Sequence, residues 1–160
     1  MATASSTRTV TVNAAFLQEI KEVHDELWQL LERLHNLVSE PMTERKQRQR
    51  LIDHLEQLRD QLALRFALEE AYGYFDDPAY VAPQLCEQAS ELRAEHRDLY
   101  SSACEVADLA QHIHRHGPLS TFQVRIAASF ARFEGRLQRH EAKENELIQQ
   151  EYGDDIGCAD

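Results

Sequence analysis

Apolar residues recur every three or four positions in four long stretches of the chain. The leucines of the second stretch show the spacing clearly: Leu51, Leu55, Leu58 and Leu62. Such a spacing is typical of an amphipathic helix that turns one face to a core. The pattern therefore predicts four helices, at residues 13–38, 43–74, 84–115 and 120–151.

Glycine and proline are concentrated in the short segments "SEPMT", "GYFDDPAYVAP" and "HGPLS", where they would end or separate helices. Asn13 and Ser120 are suitable N-caps, and Gln123 follows Ser120 at the spacing of a capping box. Four long helices joined by short loops predict an all-α fold, an antiparallel up-down-up-down four-helix bundle.

The predicted boundaries divide the chain of 160 residues into three parts. Residues 1–12 are polar and are predicted to form a flexible N-terminal arm, residues 13–152 the bundle, and residues 153–160 a C-terminal tail. A chain of this length is expected to form one domain with one sizeable core.

The amino-acid composition argues against some classes of binding partner. The 17 basic and 28 acidic residues give a net charge of −11, which argues against a nucleic-acid or an anionic membrane partner. No stretch approaches the about 18 apolar residues of a spanning helix, and the N-terminus has no apolar segment typical of a secretory signal. The scattered residues Cys86, Cys104 and Cys158 suit a reducing compartment. We therefore expect a cytoplasmic location.

Polar or charged side chains interrupt the apolar face of every predicted helix. In chain order they are His24, Arg65, Glu69, His96, His140 and Glu144. With a rise of about 1.5 Å per residue, an antiparallel bundle would place all six in one slab about 10 Å thick. Because unpaired buried charge is costly, and imidazole and carboxylate are ligands of iron, zinc and manganese, the pattern indicates a bound cation.

The order of these residues resembles the hemerythrin-like, or HHE cation-binding, family, which has a histidine on helices 1 and 3 and an H-x-x-x-E motif on helices 2 and 4. The matching segments are "KEVHDELWQLL" with His24, "RFALEEAYGYF" with Glu69, "LRAEHRDLY" with His96, and "QRHEAKENELIQ" with His140 and Glu144. The resemblance implies a non-haem di-iron centre. In such a centre two carboxylates bridge the irons, histidines complete the coordination, and an open position binds a small molecule such as dioxygen.

The second helix departs from the family motif, because Arg65 stands where the family has a histidine. A guanidinium is permanently charged and has no lone pair for a metal. Three arrangements are open. Arg65 turns outward and leaves a two-metal site, or it takes the electrostatic place of a second metal beside a single ion, or it forms salt bridges with Glu69 and Glu144 in a metal-free site.

The sequence thus predicts a protein that binds iron, as one ion or two, or another divalent metal. His96 and His140 are the predicted terminal ligands, Glu69 and Glu144 the bridging or chelating carboxylates, and His24 the ligand of a weaker second position. The predicted function is to bind or sense a small diatomic molecule such as dioxygen or nitric oxide. The alternative is a metal-depleted regulatory or protein-interaction bundle in which Arg65 replaces a metal cation. No catalytic residue is predicted, and an enzymatic activity is left open.

Overall fold

The structure is a computed structural model that describes residues 6–72 and 83–157. These residues form four α-helices and one short 3-10 helix, and they contain no β-strand. The helices are α1 (Ser6–Ser39), α2 (Arg45–Tyr72), α3 (Pro83–His116) and α4 (Phe122–Gly157), with the 3-10 helix at Leu119–Thr121. The predicted all-α fold with four long helices is confirmed.

Helices α1 and α4 are longer than the sequence pattern indicated. The first begins at Ser6, so residues 6–12 of the predicted arm are helical, and the last runs to Gly157 in the predicted tail. Helix α1 contains neither proline nor glycine, which would stop it. In α4, an isolated glycine such as Gly153 lowers the stability of the helix by only about 1 kcal/mol relative to alanine. Residues 1–5, 73–82 and 158–160 lie outside the described part, so the flexibility of the arm stays a prediction.

The predicted capping residues have other places in the structure. Asn13 lies inside α1, and Ser120 lies in the 3-10 helix that precedes α4. The side-chain amide of Gln123 donates a hydrogen bond to the carbonyl of Glu40 at 2.8 Å. Gln123 therefore satisfies a carbonyl just beyond the end of α1, where helical carbonyls lack partners, and does not complete a capping box.

The leucine face predicted for α2 lies in the main core. Its members are at most 1% exposed: Leu51, Leu55, Leu58 and Leu62. Leucines of α1 and aromatic side chains of α4 pack against this face, for example Leu30 and Phe133. Burial of these apolar surfaces supplies the main driving force for folding.

A second, smaller apolar cluster comprises Leu85, Ala89, Leu92 and Leu147. Along α3 the main core resumes at Leu99, and along α4 it ends at Leu137. The positions between the two apolar clusters are where buried polar side chains occur on both helices. The interior is therefore divided by a polar layer.

Helix α3 packs against both α2 and α4, whereas α1 packs mainly against α2 and touches α4 less. Within the described residues, no helix combines the length and the apolar character needed to cross a membrane.

Candidate metal centre

Three helices bring four side chains with metal-ligating chemistry to one buried point. Glu69 of α2, His96 of α3, and His140 and Glu144 of α4 each place one donor atom within 4.8 Å of the others. Nε2 of His140 lies 3.0 Å from Oε1 of Glu144. Nε2 of His96 lies 3.4 Å from the same oxygen and 3.2 Å from Oε2 of Glu69. The structure therefore brings together four of the five predicted metal ligands.

The local sequence explains why these side chains point inward. Glu69 lies two helical turns after Leu62 and continues the buried face of α2. His96 lies between Leu92 and Leu99 on the buried face of α3. His140 and Glu144 are four residues apart, so they lie on one face of α4, one turn from each other.

The outer nitrogens of both histidines contact carboxylates at the rim of the cluster. Nδ1 of His96 donates to Oε1 of Glu70 at 3.2 Å, and Nδ1 of His140 donates to Oε2 of Glu95 at 2.9 Å. Nζ of Lys143 donates to the other oxygen of Glu95 at 2.5 Å. Glu70 is 43% exposed and therefore lies at the rim of the cluster. The sequence pattern did not indicate its contact with a histidine, because that contact joins two helices.

An aromatic ring fixes the orientation of the two imidazoles. The ring of Phe66 stacks on His96 with a centroid distance of 4.1 Å and an interplanar angle of 8°. The same ring meets His140 edge-on at 5.9 Å. Phe66 therefore restricts rotation of both imidazoles and covers one side of the cluster with apolar surface.

Arg65 points into the cluster and is 3% exposed. Its Nε donates to Oε1 of Glu69 at 2.9 Å, and its Nη2 donates to Oε2 of Glu144 at 3.3 Å. Its Nη1 lies 2.5 Å from Oε1 of Glu141 in an ion pair. The structure thus shows the inward arrangement with salt bridges to Glu69 and Glu144, and not the outward one.

Glu141 is the buried site residue that the sequence prediction missed. It is 6% exposed and lies four residues after Leu137 and three before Glu144, so the helical spacing contained a signal for it. The sequence prediction overlooked Glu141 because the H-x-x-x-E motif already assigned the buried positions of this turn to His140 and Glu144. Its carboxylate supplies the third acidic contact of Arg65.

His24 lies outside the group of four side chains whose donor atoms converge within 4.8 Å, so its place as the ligand of a weaker second position stays a prediction. Its side chain is 36% exposed, and its Nδ1 lies 3.9 Å from Oε2 of Glu141. The other oxygen of Glu141 contacts Arg65. Glu141 therefore lies between His24 and Arg65. It faces the interface between α1 and α4, which is less extensive than the interface between α1 and α2.

The carboxylates set the charge of the buried basic groups. Burial would lower the pKa of His96, but hydrogen bonds to Glu144 and Glu69 raise it to about 9. Burial also opposes the charged form of His140, whose pKa Glu144 nevertheless raises. Burial disfavours the charge on Arg65, yet the adjacent Glu141 and Glu69 keep its pKa above the ordinary value.

The two carboxyl groups nearest the histidines differ in acidity. Burial raises the pKa of Glu69 more than its contact with His96 lowers it. Burial acts in the same direction on Glu144, but hydrogen bonds from His140 and His96 hold its pKa well below the ordinary value. Without a metal, the cluster therefore favours an ionised Glu144 paired with protonated imidazoles.

A family model described as the hemerythrin HHE cation binding domain matches residues 15–152. The chain belongs to the hemerythrin HHE family. Comparisons with curated proteins and with solved structures found no match. The matched span of the HHE domain includes all four clustered residues and Arg65, so the family resemblance drawn from the motif spacing is confirmed.

The clustered residues of this HHE domain fit a metal ion. Two donor atoms that each lie about 2.1 Å from one ion are about 3–4 Å apart. Three of the nitrogen–oxygen distances in the cluster are 3.0–3.4 Å, and all four donor atoms lie within 4.8 Å of one another. Oε2 of Glu69 is buried, and its close partner is Nε2 of His96 at 3.2 Å, so a cation that replaced the imidazole proton would lie between these two donor atoms. Imidazole and carboxylate donors suit iron, zinc or manganese.

Proposed function

We propose that this HHE domain holds one divalent metal ion, iron, and binds or senses a small molecule such as dioxygen or nitric oxide there. Glu69, His96, His140 and Glu144 would hold the ion. The convergence of their four buried donor atoms within 4.8 Å carries this proposal.

The charge of the buried cluster supports one ion rather than two. Glu69, Glu141 and Glu144 carry three negative charges when ionised, and Arg65 carries one positive charge. Two negative charges remain, which one divalent cation balances while both imidazoles stay neutral. Arg65 would then take the electrostatic place of a second metal, because it contacts the carboxylates that a second ion would share.

The donor set also supports binding of a small molecule. Glu69, His96, His140 and Glu144 would hold an iron ion, and the bound iron would supply the affinity for a diatomic ligand. Phe66 and the buried position of the cluster restrict the access of water. His96 and His140 would donate to the ion through Nε2, and the carboxylates would balance its charge.

We further infer the antiparallel up-down-up-down order for the bundle. His35 of α1 contacts Glu134 of α4, whereas His24, earlier in α1, contacts Glu141, later in α4. The earlier residue of α1 thus contacts the later residue of α4, which supports antiparallel packing of these two helices. We also infer a cytoplasmic location, which the scattered cysteines support.

A second candidate function is a regulatory or protein-interaction bundle without a metal. Arg65 favours it, since this cation already pairs with Glu69, Glu141 and Glu144. In that case the buried carboxylates are compensated by the guanidinium and by protonated imidazoles.

Metal analysis of the protein purified from iron-supplemented cells separates these functions. We expect about one iron per chain, which the double variant His96→Ala/His140→Ala loses. The variant His112→Ala, which alters an exposed histidine of α3, should keep the metal and serves as the control. Absence of metal from the wild-type protein would favour the second candidate, and two irons per chain would contradict the single-ion proposal.

A further inference from the structure

Two partly exposed carboxylates contact the metal-site histidines from outside. We propose that Glu70 and Glu95 are positioning residues, which hold His96 and His140 with Nε2 directed at the metal position. This inference rests on the proposed metal centre and adds residues that neither the motif nor the family match assigns.

The two contacts have the same form although they involve different helices. Glu70 of α2 accepts from Nδ1 of His96 on α3, and Glu95 of α3 accepts from Nδ1 of His140 on α4. In each pair the carboxylate comes from the neighbouring helix. In each pair the histidine's Nε2 faces the buried oxygen of Glu144.

The chemistry of imidazole turns this geometry into a constraint on metal binding. A neutral imidazole has one N–H and one lone pair, so a carboxylate that accepts from Nδ1–H leaves the lone pair on Nε2. The carboxylate also fixes the plane of the ring and makes the ligating nitrogen more basic. Glu70 and Glu95 thereby select the one tautomer in which both histidines offer a lone pair to the same point.

Further contacts keep each pair in place. Lys143 donates to the second oxygen of Glu95 and is 58% exposed, so the ion pair extends from the surface to His140. Phe66 stacks on His96 and limits its rotation away from Glu70. The two carboxylates themselves are 43% and 32% exposed, so their replacement leaves the apolar core intact.

The first test compares the affinity for Co²⁺ of the wild-type protein with that of Glu70→Ala and Glu95→Ala. We expect each variant to bind Co²⁺ about 10–100-fold more weakly, with the stoichiometry unchanged. Glu105→Ala, at an exposed position of α3, should bind like the wild type.

The variants Glu70→Gln and Glu95→Gln test whether the negative charge of the carboxylate is needed or whether a side chain of the same size is sufficient. The amide oxygen still accepts a hydrogen bond but carries no charge, so we expect an affinity between those of the wild-type and alanine variants. A merely structural role would let glutamine restore wild-type affinity in full.

A spectroscopic measurement checks the tautomer directly. In the Zn²⁺-loaded protein with ¹⁵N-labelled histidine, both site imidazoles should show Nδ1–H. The Glu95→Ala change should alter the signal of His140 and leave that of His96 largely unchanged, and Glu70→Ala should do the reverse. Signals that show Nε2–H in the loaded wild-type protein would overturn the proposal.

The outcomes distinguish this inference from the proposed function. If the wild-type protein binds Co²⁺ and the glutamate variants match Glu105→Ala, the positioning role is wrong and the metal centre stands. If the wild-type protein binds neither Co²⁺ nor Zn²⁺, both proposals fall.

Discussion

Arg65 adds a permanent positive charge to the buried cluster of carboxylates and imidazoles. Its guanidinium contacts three carboxylates from two helices, and its raised pKa keeps it charged despite burial. Removal of one partner from such a buried network leaves uncompensated charge, which is strongly destabilising. Arg65 is therefore a structural cation of the bundle, and under the proposed function it would also take the place of a second metal ion.

Replacement of this guanidinium by an imidazole should raise the metal stoichiometry. In Arg65→His, the new imidazole can ligate a metal, and Glu141, which already lies 3.9 Å from His24, loses its cation. We expect the metal content to rise from about one ion per chain towards two, as measured by elemental analysis. The control is Arg59→His, which alters a partly exposed arginine of the same helix. An unchanged stoichiometry in Arg65→His would show that this position is not that of a second metal.

Each helix that contributes to the site also contributes to the core. In α2 the buried face runs from Leu62 to Arg65 and Glu69 without a change of helical spacing. The leucines pack into the main core and fix the position of the helix. Arg65 and Glu69, which follow on the same face, are thereby held at a fixed position along the bundle. Tight packing of leucines therefore determines where the donor atoms of Glu69 lie.

Two leucines of α2 should respond very differently to truncation. Leu62 is fully buried, and Leu64 is 53% exposed. Leu62→Ala should lower the free energy of unfolding by about 2–5 kcal/mol, because it leaves a cavity in the core. Leu64→Ala should change it by about 0.5 kcal/mol or less. Urea unfolding measures both values, and equal midpoints for the two variants would contradict the assigned orientation of α2.

At the scale of the whole molecule, the proposed metal ion would compete with protons for the same buried imidazoles. The pKa of His96 is raised from 6.5 to about 9, so without a metal this imidazole is protonated at neutral pH. Its stabilising contribution is full below about pH 6.5 and is lost as the pH rises towards about 9. Metal binding requires the neutral imidazole, so affinity and metal-free stability should depend on pH in opposite directions.

The affinity for Co²⁺ should therefore increase from about pH 6 to about pH 9. Because His96 and His140 both have raised pKa values, each ion should displace one to two protons. The dissociation constant should then fall by about 10–100-fold per pH unit in this range. Isothermal titration calorimetry in buffers of different ionisation enthalpy measures the displaced protons. A pH-independent dissociation constant would contradict this competition.

The sequence alone predicted the four helices, the buried leucine face of α2, and the inward direction of Glu69, His96, His140 and Glu144. These features follow from the 3.6-residue period, which is local and can be read along the chain. The helix ends were less accurate, since Asn13 and Gly153 do not end α-helices when the surrounding residues favour the helix.

Only the tertiary structure determined which side chains contact one another across helices. The partners of Arg65 and the separation of His24 from the cluster depend on interhelical distances and side-chain rotamers, and periodicity contains neither. The outer contacts of Glu70 and Glu95 have the same origin, because they join helices that are distant in the sequence. The sequence thus determined which face of each helix is buried, and the packing of the helices determined the arrangement of charges between them.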